Sequence, residues 1–355
     1  MSRSVHKLSV SFRYNYTCPD FFFLSSSLEQ LHMNCAIMIC TPVSWKSLRN
    51  LTLNSCKLSD DKAVANILSG CPVLENLELF YCLALPQRLD LSKSLNLRRL
   101  EIRWSCRSSY PLEIIAPQIR YLKVIVLEEP CTLVDVSSVT EANLEICIQK
   151  LFFTVADFVQ IRVLKMLEKL QNVERLTFGR TLLQMLSLAE LRGITFPMLK
   201  VHTLIVETMI VRSAIPGITR LLQNSPVLTK LIAQATCSGN INDHTLDYYL
   251  GVLGLNPDQC WRSEYIHNFP TSEGIFSMVR CENAASKLFT SFMELVLRNS
   301  KTLETMVIRF RPTPALALEC FAQLLQMPPT LPHNDNVSIV LNPSNHSLIA
   351  SVSLS

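Results

Sequence analysis

Apolar residues return along this chain in short clusters of the form apolar-x-x-apolar-x-apolar, with polar residues in the alternate places. The run Ser47-Leu48-Arg49-Asn50-Leu51-Thr52-Leu53-Asn54-Ser55-Cys56-Lys57-Leu58 shows the pattern whole. Leu48, Leu51, Leu53, Cys56 and Leu58 are its anchors, and Asn50, Thr52 and Asn54 alternate with them. Strict alternation predicts a strand with one buried and one open face. The same anchor triplet recurs at Val5/Leu8/Val10, Leu28/Leu31/Met33, Leu74/Leu77/Leu79, Leu97/Leu100/Ile102, Ile119/Leu122/Val124, Val173/Leu176/Phe178, Val201/Leu204/Val206 and Leu228/Leu231/Ala233. A weaker unit surrounds Leu144 and Ile146, and the longer gap before Leu176 is filled by Phe152 to Leu170, whose spacing predicts a helix.

The anchors fit the leucine-rich-repeat consensus L-x-x-L-x-L-x-x-[NC]-x-L, and their spacing of about 20–28 residues falls within the roughly 20–29 expected of such repeats. Cys56 and Cys82 take the [NC] position, and Ser105 stands there in the next unit. A second level of repetition aligns Ile67-Leu68-Ser69-Gly70-Cys71-Pro72-Val73-Leu74 with Leu221-Leu222-Gln223-Asn224-Ser225-Pro226-Val227-Leu228 and with Val296-Leu297-Arg298-Asn299-Ser300-Lys301-Thr302-Leu303. Each joint reads as a helix ending on Gly or Asn in a left-handed conformation, then a strand. The expected fold is α/β, a leucine-rich-repeat solenoid in which a parallel sheet forms a horseshoe backed by helices and irregular turns. Each unit buries its anchors only against its neighbours.

After Ala233 the spacing fails. Residues 1–235 are read as the solenoid, 236–269 as a connection, 270–345 as a small α+β module and 346–355 as a frayed tail. Within the module, Asn283 to Asn299 and Leu316 to Met327 read as helices, and Leu303 to Phe310 and Val337 to Leu341 as strands.

At 355 residues, 48% hydrophobic and 17% charged, the chain can bury a large layered core. No apolar stretch reaches the roughly 18–20 residues of a spanning helix, and the N-terminus alternates as a strand rather than carrying a signal-peptide core. The thirteen cysteines are odd in number and contain no C-x-x-C, so Cys56 and Cys82 are read as small buried hydrophobes whose thiols donate to backbone carbonyls. Dispersed thiols favour a reducing compartment, the cytoplasm or the nucleus. A net charge of +4 calls for no polyanion. The densest basic stretch, Arg98 to Arg107, alternates so that Arg99, Glu101 and Arg103 share the open face while Leu100, Ile102 and Trp104 face the core. An acidic residue in the middle of that stretch argues against a nucleic-acid partner.

Catalytic signatures are weak. The eight glycines form neither phosphate-cradling loop. Ser59-Asp60-Asp61-Lys62 reads as a helix start, with Ser59 as N-cap, rather than as S-x-x-K chemistry. His267 near Cys260 and Cys281 is the one pairing to inspect for a dyad. No catalytic residue, cofactor or metal ligand is assigned.

Trp45 to Leu53, the Gly70-Cys71-Pro72-Val73-Leu74-Glu75-Asn76-Leu77 joint, Leu297 to Ile308, Cys260-Trp261-Arg262-Ser263 and Asn334 to Leu341 together resemble plant F-box/leucine-rich-repeat proteins with a C-terminal FBD domain. The resemblance implies an RNI-like repeat domain and an FBD-like module. It also implies a non-enzymatic role in substrate recognition for a cullin-type ubiquitin ligase. That family carries an F-box before the repeats, whereas here Val5/Leu8/Val10 already reads as a repeat strand, so a ligase adaptor is not an expected partner. Without that segment the first repeat is expected to be open, and residues 1–24, with Phe12, Phe21, Phe22 and Phe23, to be poorly ordered or self-associating.

The expected binding surface is the concave face. It carries Asn50, Thr52 and Asn54; Asn76, Glu78 and Phe80; Arg99, Glu101 and Arg103; and Tyr121, Lys123 and Ile125. Later units add Arg175, Thr177, Thr203, Ile205, Glu207, Lys230 and Ile232. Phe80, Arg99, Arg103 and Tyr121 are the candidate anchors for an unknown target protein, because Arg and aromatic residues are enriched at interface hot spots. A stand-alone repeat scaffold or inhibitor is the alternative in the same class. A small-molecule receptor is a further one, resting on Arg99, Arg103 and Trp104.

Overall fold

Leu51 and Leu53 are buried while Asn50, Thr52 and Asn54 beside them are not, and the same alternation holds in successive strands, as the pattern demands. The computed structural model describes residues 5–18, 20–38, 43–58, 62–105, 111–127, 130–148, 153–234, 241–261, 266–271, 282–310, 338–343 and 350–353. They fall into two units, Met1–Cys147 and Ile148–Ser355.

In the first unit, strands β1 (Lys7–Thr17), β2 (Gln30–Met38), β3 (Asn50–Asn54), β5 (Asn76–Phe80), β7 (Arg99–Ser105), β9 (Tyr121–Leu127) and β11 (Glu141–Cys147) pair in that order, all parallel. The short β4 (Lys57–Leu58) pairs with β2. The registers align Leu31, Leu51, Leu77, Leu100, Leu122 and Ala142 in one row, with Met33, Leu53, Leu79, Ile102, Val124 and Leu144 in the next. All of these are buried. Each contributes about 1.5–3 kcal/mol if fully withdrawn from water, Ala142 less.

β3, β5, β7 and β9 are each entered through one recurring turn. The amides of Leu48, Leu74, Leu97 and Ile119 donate to the carbonyls of Trp45, Cys71, Ser94 and Ala116. Cys35 within β2, Ser55 just past β3 and Tyr81 just past β5 follow the aligned residues Asn34, Asn54 and Phe80, and all three adopt positive φ without being glycine. The buried thiols then donate as expected, Cys56 Sγ to Met33 O at 3.6 Å and Cys82 Sγ to Leu53 O at 3.3 Å.

On the other side of this unit, the sequence predicts helices and irregular turns. Helix α1 (Ala63–Gly70) is there, but β6 (Arg88–Asp90), β8 (Glu113–Ile115) and β10 (Thr132–Asp135) also form a separate three-stranded parallel sheet. The proposed Ser59 cap lies outside the described residues. Gly70 corrects another expectation. It is not left-handed; it is required because a Cβ there would come within 2.2 Å of Val43 O. Asn224, its counterpart, has φ −90° and instead uses its side chain to donate to Phe196 O at 3.0 Å.

The N-terminal aromatic run is also better packed than expected. Phe23 is fully buried, its ring 5.7 Å from that of Trp45, and Trp45 Nε1 donates to Phe22 O at 3.0 Å. β1 lies at the end of the sheet, with Leu8 and Val10 half-buried where Leu31 and Met33 are fully buried.

In the second unit, β12 (Arg175–Gly179), β13 (Thr203–Glu207), β14 (Lys230–Gln234), β15 (Thr305–Phe310) and β16 (Ser338–Pro343) pair in parallel. β17 (Ala350–Ser353) adds antiparallel to β16, so a strand stands where a frayed tail is predicted. Five of its helices are α2 (Phe153–Lys169), α3 (Arg180–Leu191), α4 (Ile215–Gln223), α5 (Asp243–Val252) and α7 (Glu282–Asn299). The four-residue α6 (Pro257–Cys260) lies between the last two. α5 occupies part of the stretch read as a connection, whereas α2 and α7 fall where spacing places them. The predicted helix at Leu316 to Met327 lies outside the described residues. α3 and α4 approach closely because Gly217 has no side chain: a Cβ would meet Leu183 O at 2.6 Å. None of the described helices is long and apolar enough to cross a membrane.

Candidate binding face

Strand alternation places the polar residues of the first unit in three rows across its sheet. One runs Asn50, Asn76, Arg99, Tyr121, the second Thr52, Glu78, Glu101, Lys123, and the third Asn54, Phe80, Arg103, Ile125. Phe80, Arg99, Arg103 and Tyr121 therefore share one face on adjacent strands.

They also pair with each other. The Arg99 guanidinium lies 3.6 Å from the centroid of the Tyr121 ring, its partner in register, and Arg103 lies 4.9 Å from that of Phe80. Guanidinium over an aromatic face is attractive at these distances. The centre of the patch is an ion cluster. Arg99 pairs with Glu101 through both Nε, at 3.1 Å, and an Nη, and Lys123 Nζ stands 3.7 Å from the same carboxylate. Glu101, expected to be solvated, is only 6% exposed beneath these two cations.

The electrostatics follow from that burial. Burial works against the Arg99 charge, but the hydrogen bond and charge of Glu101 outweigh it and hold the pKa above the ordinary arginine value. Burial pushes the Tyr121 phenol up, with Arg99 opposing. At neutral pH the pair is thus a cation over a neutral phenol.

Other candidates separate from this patch. Trp104 is buried on the opposite face of β7, so it lines no pocket with Arg99 and Arg103. In the second unit, Thr177 and Ile232 hold alternate strand positions but are buried, 5% and 4% exposed, and offer no free surface. His267 is exposed in a 3-10 turn, Ile266–Asn268, and Cys281 lies outside the described residues. Among the described residues, no group of three His, Cys, Asp or Glu side chains could hold a metal ion. Sequence reasoning missed the roles of Glu101 and Lys123; the signal was opposite charges at i and i+2 on one strand face with a lysine in register on the next.

Comparison with known proteins agrees with this architecture. The family model described as FBD-associated F-box protein At5g56370, LRR repeats, matches residues 3–233. F-box/LRR-repeat protein At5g02910 of Arabidopsis thaliana is 46% identical over 351 residues, covering 97% of this chain and 76% of the relative. Putative F-box/LRR-repeat protein At3g28410 of the same plant is 50% identical over 97% of this chain and 75% of its own length. Probable F-box protein At1g60180 is 43% identical over 90% of this chain and 97% of its own length. No solved structure matches.

Proposed function

Because the chain belongs to the FBD-associated F-box/leucine-rich-repeat family, we propose that it recognises a protein target on the concave strand face of its first unit, at Phe80, Arg99, Arg103 and Tyr121. The observation that carries this reading is the pair of arginine–aromatic stacks on β5, β7 and β9, held in register by the sheet. Arginine and aromatic side chains already fixed in place lose little entropy on binding, which is the property of a hot spot. The reading is of a non-enzymatic role, in keeping with the names of the relatives above, which denote F-box proteins.

The proposal assigns the target-binding part of a ubiquitin-ligase receptor to these repeats, in the cytoplasm or nucleus, where thiols such as those of Cys56 and Cys82 stay reduced. It assigns the ligase adaptor no site among residues 7–58, whose described strands belong to the repeat sheet.

The test is affinity purification from plant extract with the chain and with a variant carrying Phe80→Ala, Arg99→Gln, Arg103→Gln and Tyr121→Ala, followed by mass spectrometry. Circular dichroism melts check that the variant folds. Proteins retained by the chain and lost from the folded variant support the reading, and each such protein must bind the purified chain directly. Retention of every partner by the folded variant overturns it. Adaptor bound directly by the chain overturns the part concerning ligase docking.

A further inference from the structure

We infer that Arg103 is the docking point for an acidic side chain, aspartate or glutamate, on a peptide segment of the protein target. This rests on the concave-face reading and names the chemistry of its partner.

The carboxylates around the patch are already engaged. Glu75 pairs with Arg49, Glu78 accepts from Thr52 Oγ1 at 3.0 Å, and Glu101 is shared by Arg99 and Lys123. Arg99 is thereby neutralised within the face. Arg103, four residues along the same strand, has no carboxylate partner among the described residues. Its Nε is shielded from solvent and donates to no acceptor there. The guanidinium instead rests over the Phe80 ring, 4.9 Å from the centroid, with Ile125 in register on the other side.

These facts favour an anion. A donor buried without an acceptor is costly to keep, so the resting position of Arg103 is poorly satisfied, and a turn of its terminal bonds toward an incoming acceptor repairs it. The planar fork matches a carboxylate through two parallel N–H···O bonds. Phe80 and Ile125 exclude water beside that contact, which strengthens it. A protein segment suits the site better than a free ion, because the charge sits between two apolar side chains that a peptide also covers.

The test is selection of peptides on the immobilised full chain from a displayed random-peptide library. Selected peptides are then made with each Asp or Glu replaced by Asn or Gln and measured by fluorescence anisotropy. Binding to the unaltered chain is expected to fall at least about tenfold on one such replacement. The acidic peptide is expected to lose a similar factor on Arg103→Gln, and the amide peptide little more, which is the coupling a direct contact requires. The peptide-side replacement leaves the protein untouched, so the result does not depend on how Arg103→Gln folds. Peptides that need no acid but are lost on Phe80→Ala or Tyr121→Ala overturn this inference and leave the concave-face reading standing. Peptides indifferent to Phe80, Arg99, Arg103 and Tyr121, or no enrichment at all, overturn both. Phosphoserine peptides that bind where their Asp and Glu counterparts do not overturn the assignment to a carboxylate.

Discussion

Arg99 is held by two residues at once: its guanidinium stands 3.6 Å from the centroid of Tyr121, and its Nε donates to Glu101 at 3.1 Å. One side chain thus ties β7 to β9 on the open face of the sheet, while Leu100 and Leu122 tie the same strands on the buried face. Ion pairs fully in water contribute little, but Glu101 is 6% exposed, so its desolvation has been offset by two cations and the arrangement is fixed.

Removing that carboxylate leaves Arg99 and Lys123 without the counter-charge they share. Glu101→Ala is expected to lower stability by about 2–3 kcal/mol in urea unfolding. The double variant Glu101→Ala, Arg99→Met is expected to recover part of that loss. Strictly additive losses would show that the pair is not coupled.

Alkaline pH probes the turn cysteines. Burial pushes the thiols of Cys71 and Cys82 from 9.0 up to about 12, and the Tyr249 phenol from 10.0 up to about 12, there with the Asp157 hydrogen bond assisting. Above pH 9 the unfolded chain releases thiol protons that the folded chain keeps. Stability therefore falls by about 1.4 kcal/mol per pH unit for each such group, until the folded group itself ionises. Below pH 9 these thiols make no pH-dependent difference. Urea midpoints taken from pH 7 to pH 11 should decline, and Cys82→Ala should make the decline shallower.

Two glycines should respond in opposite directions to the same change. Gly70→Ala drives a Cβ to within 2.2 Å of Val43 O, a backbone atom that cannot swing aside, and a loss of about 2 kcal/mol or more is expected. Gly251, in α5, has nothing within 4 Å of its would-be Cβ, and Gly251→Ala should stabilise by about 0.5–1 kcal/mol. Thermal melts of the two variants decide both.

In the second unit, Arg212 gathers the segment around α5. It donates to Asp243 at 2.9 Å and Asp247 at 3.0 Å, and its amide donates to Pro270 O at 2.9 Å. Trp261 Nε1 donates to Asp247 at 2.6 Å. Asp243 is 2% exposed, so Arg212→Met should cost about 3 kcal/mol and raise amide exchange in residues 241–261 before the rest of the unit. Equal exchange throughout would show that this cluster does not hold the segment.

The repeat strands were legible because Leu51 and Leu53 announce themselves by period and their alternates by polarity, and each strand repeats the statement. That Phe80, Arg99, Arg103 and Tyr121 share one face was legible for the same reason, through strand parity. The small sheet of β6, β8 and β10 was not. Its strands are three or four residues long, too short to show a period, and they form only because successive repeats bring them side by side. Gly70 illustrates a different failure: a glycine at a helix end suggests a left-handed cap, and only the position of Val43 reveals a steric need.

The sequence by itself determined the repeat, the buried and open parity of each strand, the absence of known phosphate loops and the family resemblance. These depend on periodicity and local residue chemistry, which are properties of the chain before it folds. Tertiary structure alone decided that Glu101 is buried rather than solvated, that Arg99 is neutralised while Arg103 is left over Phe80, and that Thr177 and Ile232 are covered. The physical reason is that charge compensation and burial depend on which side chain the register sets beside each one, across intervals of about a repeat length, and that neighbour is fixed only when the strands pair.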